Sequence, residues 1–476
     1  MRRMLLNGEW VERERSTGVV DPENGVEIDR VPEAGIEDVE WAVRGSGEAI
    51  ESPLPGHERA RILNEAADRV RDSLEEAARL IATEGIKTIK EARAEASRTV
   101  TTLRLSAEEA KRISGRTLNL DQYPSGVNRF GFTVRQPLGI IGAITPFNDP
   151  LNLVAHKIGP AIASGNAVIL KPDSNTPLSG LFLSETLMAA GLPPGWLQVL
   201  TGPGATIGDA IVTHPAVKMV SFTGGVRAGR EIMSRAGLKR VQMELGANNA
   251  VIVDHDADLE LATERIGSGA FWAAGQNCLH VQRVYAHAHI HDDLLAGLAK
   301  YAESLDLGPK LSEDSDMGPL IDDGALRRVG AIVDEAVESG AELVTGGEAH
   351  GPVFGPTLLT GAPPGSRATV EEIYGPVTLV APFEDLEQAV EWANDTEYGL
   401  QSAIFTNNLD TALTAAARLR TGGVMINEST DFRIDAMPFG GLGASGLGRE
   451  GVSDAVQAMT DPKVIAFSSV EVPGLG

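Results

Sequence analysis

From residue 139 to 225 the chain repeats one pattern, a short apolar run that ends in Gly or Pro and is followed by a helix-like stretch. The runs are GIIGAITP (139–146), NAVILKP (166–172), WLQVLTG (196–202) and VKMVSFTGG (217–225), with LSGLFLSETLMAAG (178–191) as a spacer. Continuous apolar runs suit strands buried on both faces, and strand–helix alternation builds parallel sheets with helices over each face. The pattern resumes after Glu244 with NAVIVD, VQRVYAH, TLVAPF, SAIFT and GGVMIN. The chain therefore reads as α/β, with two sheet units meeting near residues 244–250. Its 476 residues are also too many for one ordinary core. Upstream, the Pro-free stretch Glu58 to Ser114, rich in Ala, Glu, Arg and Leu, predicts two or three amphipathic helices. The segment from Thr117 (TLNLDQYPSGVNRFGFTVRQP) and the tail after Asp461 read as extended ribbon, whose edges suit pairing with another subunit.

Composition removes several function classes. A net charge of -25 with no basic stretch leaves nothing to neutralise phosphates, so nucleic-acid binding is not expected. Hydrophobic residues at 42% and charged ones at 22% fit a globular protein. No run of 18 apolar residues occurs, so no membrane span is expected. MRRMLLNGEW lacks the apolar core of a secretory leader. One cysteine cannot form an internal disulfide, which favours a reducing compartment and hence the cytoplasm. His287, His289 and His291 in HAHIH alternate as on a surface strand, without companion ligands, so no metal is expected. A serine hydrolase is unsupported because no G-x-S-x-G elbow appears.

Three residues invite chemistry. Cys278 follows the small, polar GQN between a helix-like stretch ending at Gly275 and a strand starting near Val281. A lone cysteine is more often an inert core residue, but GQN allows a ligand close to sulfur and leaves backbone N–H groups free. Glu244, in VQMELGANNAVIV, sits between a strand-like run and a glycine. It is either a solvated loop-end carboxylate or a base that deprotonates a thiol or activates water. Asn148, in ITPFNDPLN, is either an N-cap or a neutral donor to a developing oxyanion. Two loops could receive phosphate: GPGATIG from Gly202, whose spacing fits the dinucleotide fingerprint poorly, and FTGGVRAGR from Phe222. In the latter, Gly224 and Gly229 would let a phosphate reach a helix N-terminus. Lys171 in KPDSNTP would emerge at the sheet's C-terminal edge.

Eight landmarks in register, TPFN (145–148), KPDSNTP (171–177), FTGG (222–225), MELGANNA (243–250), GQNC (275–278), EEIYGPV (371–377), NDTEYGL (394–400) and MPFGGLGASGLGREG (437–451), cover nearly the whole chain. Together they resemble the aldehyde dehydrogenase superfamily, in its NAD(P)-dependent, non-acylating branch. The resemblance implies a Rossmann-like cofactor domain (1–116 and 138–246), an α/β catalytic domain (247–446) and a bridging β-flap (117–137 and 447–476) through which the chain forms a homodimer or homotetramer. It implies NAD or NADP as cofactor and a small-molecule aldehyde as substrate. Cys278 matches the nucleophile, Glu244 the general base, and Asn148 with the Cys278 N–H the oxyanion hole. Lys157 and Glu450 match a buried pair that passes protons onward. Lys171 and Glu372 match residues that hold the ribose hydroxyls, and Gly224 and Gly229 frame the pyrophosphate. Thr145, Pro146, Phe147, Ser174, Gly204, Phe222, Thr223, Gly225, Leu245 and Tyr374 complete the implied cofactor contacts.

The sequence departs from the family pattern in places. Ala247 and Asn248 replace the commoner Gly and Lys after the base, and Gly225 stands where a pyrophosphate-binding Ser is usual. Ser174 stands where NAD-specific relatives carry a Glu that repels a 2′-phosphate, so NADP should be accepted. The implied substrate residues are Arg98, Asp149, Asn277 and Arg433; the two guanidiniums could grip an anionic tail. A small anionic or hydroxylated aldehyde is therefore expected, or the semialdehyde of another catabolic pathway. Asp149 and Asn277 replace the His and Arg of phosphonoacetaldehyde-oxidising members. A thiol esterase, needing no cofactor, is the rival that the nucleotide loops count against.

Overall fold

The computed structural model describes residues 2–468. An eight-stranded sheet runs in the order Glu9–Val11, Met4–Leu6, Leu197–Val199, Ala167–Lys171, Ile140–Ile144, Val217–Thr223, Arg240–Glu244, Gly446–Leu447. Its five central strands are parallel and its outer pairings antiparallel. Alternate residues of each strand serve different cores, as the two-residue repeat of a strand demands. Ile141, Ala143, Val168 and Leu170 join the core under the helices Gly56–Asp72, Asn152–Ala163 and Pro177–Ala189. Ile140, Ile144 and Ile169 face the opposite core, with Val39, Ala42 and Val43 of the helix Ile36–Ile50.

The Ala-rich upstream stretch forms three helices, Gly56–Asp72, Leu74–Glu84 and Ile89–Glu109. The last begins with a capping box: the Glu91 N–H donates to Thr88 Oγ1 and the Thr88 N–H to Glu91 Oε2. Caps of this kind contribute about 1 kcal/mol.

A second sheet of seven strands has the order Glu342–Thr345, Thr357–Thr360, Val377–Phe383, Val281–His287, Asn249–Val253, Gln401–Phe405, Gly423–Ile426. All of it is parallel except the edge strand Glu342–Thr345. Thr117–Leu118, Arg129–Pro137 and Thr460–Ser468 form a separate antiparallel ribbon, on which the rings of Phe130, Phe132 and Phe467 cluster with centroids 6.1–6.3 Å apart.

Two expectations change. Residues 447–458 do not lie in the ribbon. Gly446–Leu447 pairs with Met243 and Glu244, and the helix Val452–Ala458 buries Val452, Ala455 and Val456 beside the helix Asn152–Ala163. Those apolar side chains find a core there that a thin ribbon cannot offer. The end of that expected element, residues 469–476, lies outside the described residues. The HAHIH alternation is not a strand either: His287 ends one, a turn follows, and His291 begins the helix His291–Glu303. Among the described residues no helix is long and apolar enough to cross a membrane.

Candidate active site

Strand register places the expected cofactor residues side by side. Ile144 pairs with Lys171 and with Phe222, and Thr223 pairs with Glu244, so all of them end at one edge of the first sheet. The carboxyl edge of a parallel sheet is where such folds take nucleotides. A cavity of about 600 Å³ opens there, and every expected cofactor contact lines it except Ser174 and Gly229. Asn148, Glu244 and Cys278 line it too. The helix Val226–Arg235 starts at its wall with Gly225 as N-cap and no side-chain partner, which leaves its first N–H groups open to an anion.

Gly229 has a different reason to be glycine. A Cβ there would stand 2.5 Å from Leu245 Cδ2, so its smallness lets the helix seat on Leu245. Ser174 lies just off the wall, where its Oγ accepts from Lys171 Nζ and donates to the Gly202 carbonyl, both at 3.1 Å. Glu372 is half-buried and accepts from the Ala247 N–H at 2.8 Å; desolvation pushes its carboxyl up to about 7. Tyr374 holds φ 50° and sets its ring edge-on to Phe147.

Cys278 is placed by a loop that sequence periodicity does not disclose. After the helix Leu259–Phe271, three successive residues turn left-handed: Ala273 (φ 52°), Ala274 (φ 52°) and Gly275 (φ 65°). Alanine rarely adopts this region, so the surroundings must hold it. The Ala273 N–H donates to buried Glu91 at 2.7 Å, and a Cβ on Gly275 would stand 2.2 Å from the Gly375 carbonyl oxygen. Gln276 donates to Pro319 O and accepts from the Ile321 N–H. Asn249 donates to the carbonyls of Cys278 and His280. Asn277, expected at the substrate, is consumed by the loop: its amide donates to Trp272 O at 3.2 Å and accepts from the Leu279 N–H at 2.9 Å. Among the described residues the Cys278 N–H and the Asn148 side-chain amide meet no protein partner. Burial pushes the half-buried Cys278 thiol up to about 12, with Arg433 pulling down and Glu244, Glu372 and Glu450 pushing further up. The resting sulfur is therefore protonated at neutral pH.

Glu244 is buried, and among the described residues neither of its carboxylate oxygens finds a hydrogen-bond donor. Burial and the charge of Glu450 raise its pKa well above the carboxylate range, against the pull of Arg433 and Lys157. Glu450 accepts from Lys157 Nζ and from Arg433 Nη2, each at 3.1 Å, and these cations hold it well below its usual value although burial opposes them. The Arg433 guanidinium also lies 3.9 Å from the centroid of the Phe439 ring.

Arg98 and Asp149 belong to a second cluster. Arg98 pairs with Asp435 at 3.0 Å and with Asp149 at 3.4 Å, and Asp149 also pairs with buried Lys87, itself 2.8 Å from Glu95. Asp435 further accepts from Asn152 and meets His156 Nε2 at 2.8 Å. Neither arginine nor Asp149 nor Asn277 lines the 600 Å³ cavity. Sequence reasoning missed Lys87, Glu95, His156 and Asp435 here, and Glu231 and Arg235 on the cavity wall. One signal was available: Glu91 and Glu95 share the buried face of their helix with Ala92, Ala96 and Val100, where charges require partners.

The family model for the aldehyde dehydrogenase family matches residues 10–465. The chain belongs to the aldehyde dehydrogenase family. It is an NAD(P)-dependent enzyme that oxidises aldehydes. This dehydrogenase is 41% identical over 465 residues to the 3-sulfolactaldehyde dehydrogenase of Priestia aryabhattai, covering 98% of each chain. It is 47% identical over 423 residues to aspartate-semialdehyde dehydrogenase 1 of Pseudomonas canavaninivorans, covering 89% of this chain and 90% of that one. The NADP-dependent glyceraldehyde-3-phosphate dehydrogenase of Bacillus halodurans C-125, solved with NADP, superimposes with a TM-score of 0.96 at 37% identity, over 98% of this chain and 99% of that one.

Proposed function

We propose that the dehydrogenase works through Cys278 as nucleophile and Glu244 as base, on a small anionic or hydroxylated aldehyde. The observation that carries this reading is the set of unpartnered groups on one cavity: the Cys278 N–H, the Asn148 amide and both oxygens of Glu244. The wall suits NAD(P), since it offers open helix N–H groups at Gly225, Lys171 and the carboxylate of Glu372. Glu372 and Lys171 hold the ribose, and bound cofactor supplies the hydride acceptor. The Cys278 thiol loses its proton to water that reaches the half-buried sulfur through the open cavity, and the thiolate adds to the aldehyde carbon. The resulting oxyanion lies against Asn148 and the Cys278 N–H, fixed neutral donors that need no reorganisation. Once hydride has left, the acyl group stays on Cys278 as a thioester. Glu244 takes a proton from water to hydrolyse it, and Lys157 with Glu450 carries that proton away.

Three features support the substrate class. Arg433 is buried next to the charge field of Cys278, Arg98 stays one-third exposed, and the relatives above are named for aldehydes that carry sulfonate, carboxylate or phosphate. Ser174 in place of an acidic residue supports acceptance of NADP. The ribbon leaves Val464 and Phe467 exposed, which supports a homo-oligomer assembled through it, and the single cysteine supports a reducing, cytoplasmic setting. Within the chain, residues 1–116 and 138–246 serve as the cofactor domain and 247–446 as the catalytic domain. NAD(P)H formation with aldehydes of matched length and differing charge tests the reading. Turnover by Cys278→Ser, or no preference for anionic or hydroxylated aldehydes over plain alkanals, contradicts the corresponding half.

A further inference from the structure

At the far end of the second sheet, three imidazoles and a carboxylate converge that aldehyde oxidation does not use. Asn249–Val253 and Val281–His287 are adjacent parallel strands paired from Asn249↔Val281 to Val253↔Ala286. Cys278 precedes their first residues, whereas Asp254, His255 and His287 stand at their last. The rise of a strand puts on the order of 15 Å or more between the two ends.

We propose that Asp254, His255 and His287, with His289 beside them, bind a divalent transition-metal ion of the zinc class. Each of the first three offers one ligand atom within 4.8 Å of the others. Bonds of about 2.1 Å around a tetrahedral ion need ligand atoms roughly 3.4 Å apart, a distance reached by small side-chain rotations. The carboxylate is already set: Asp254 is buried, and its Oδ1 accepts from the His255 N–H at 2.8 Å and lies 2.9 Å from His255 Nδ1. For one ion to reach both groups it takes the place of the proton they share, with Asp254 Oδ1 and His255 Nδ1 as adjacent ligands, and binding releases that proton.

The His287 ring is held edge-on to Phe383, with the His255 ring 5.3 Å and the His289 ring 4.9 Å from it. His287 Nδ1 accepts from the His289 N–H at 3.2 Å, a long bond that metal coordination replaces. Imidazole with one carboxylate selects Zn²⁺, Ni²⁺ or Cu²⁺ over Mg²⁺ and Ca²⁺. His255 is largely exposed, so the ion exchanges with solvent and its effect is to clasp two strand ends. No bond of the substrate is involved, and the site is independent of the chemistry at Cys278.

The test uses full-length Cys278→Ser protein, which removes the competing thiolate, after dialysis against a chelator. Calorimetric titration with ZnCl2 is expected to give one saturable ion per chain and a raised Tm, with no comparable heat from MgCl2. His255→Ala/His287→Ala in the same background should weaken zinc binding by about tenfold or more. With Cys278 intact, that double variant should form NAD(P)H at the parental rate, which certifies its fold; His289→Ala, with a smaller loss, serves if it does not. Absence of saturable zinc binding, equal response to magnesium, or unchanged affinity in the histidine variants overturns the proposal.

Discussion

The cavity that suits the cofactor and the charged cluster around Arg98 are both rich in polar groups, but they are finished differently. On the cavity, among the described residues, Glu244 has no partner for either oxygen, Thr145 and Thr223 have unbonded hydroxyls, and the helix at Gly225 has no side-chain cap. In the cluster, Arg98 meets two carboxylates, Asp149 meets two cations, and Asp435 meets Arg98, Asn152 and His156. A buried polar group without a partner costs stability, so groups left open are held for a ligand or a proton. Groups that are paired hold geometry, and a paired arginine can still turn its spare N–H donors to an anion. Glu244 and Glu450 show both conditions inside one charge field: the unpaired carboxylate is pushed up and the paired one pulled down. The first is the one of the two whose proton is held above the ordinary carboxylate range.

The largest effect expected from breaking the open side comes from Cys278→Ser. Its kcat/KM should fall by at least about 10³-fold, because an alcohol there has no base strong enough to ionise it. Cofactor binding, followed by quenching of protein fluorescence, should persist. If turnover survives, the open groups are not the catalytic ones.

Glu244→Gln comes next, with kcat reduced by roughly 10²- to 10⁴-fold. One equivalent of NAD(P)H should still appear per active site, since the substitution stops thioester hydrolysis and not hydride loss. The pH profile carries the sign. Burial raises the Glu244 pKa, and the base form is the deprotonated one. Wild-type kcat should therefore climb as pH rises through a pKa above the ordinary carboxylate range, and Gln should flatten that limb. A limb unchanged in Glu244→Gln would assign it to another group.

Arg433→Gln and Arg98→Gln separate the two regions more finely. For an anionic aldehyde each should lower kcat/KM by about 10- to 100-fold, the worth of a charge-assisted hydrogen bond. Arg433 also pulls the Glu244 pKa down, and Arg98 is absent from the charges that act on it. Arg433→Gln should thus move the acid limb to higher pH, while Arg98→Gln leaves it in place. Equal limbs in both variants would merge the regions into one.

Much of this contrast lay within reach of the sequence, because apolar runs that end in Gly or Pro fix both the strands and the edge where their loops gather. Lys171, Thr223 and Glu244 fall at that edge by register alone. The packing of Gly229 on Leu245 was not legible, because a glycine required by a neighbouring side chain looks the same in sequence as one required by phosphate. The loop role of Asn277 was not legible, because its amide serves a turn whose left-handed alanines have no sequence signature. The paired cluster was the least legible. Lys87, Asp149 and Asp435 lie far apart in the chain, and each alone reads as a solvated charge until the helices bring them together.

The smallest effect concerns Ser174, which stands at the margin of the open side. Its hydroxyl takes a hydrogen bond from Lys171 and gives one to Gly202, so it ties the ribose-binding lysine to the adjacent loop. Burial already lowers the Lys171 pKa, with Asp173 alone among its neighbours pulling it back up. A Glu at 174 would add a second carboxylate near that ammonium and repel a 2′-phosphate, while accepting from a free 2′-hydroxyl. Ser174→Glu should lower kcat/KM for NADP by about tenfold or more and leave that for NAD within a few-fold, a shift set by like-charge repulsion at a half-exposed site. A matched loss with both cofactors would show that Ser174 acts by positioning Lys171, and the margin would then belong with the paired groups.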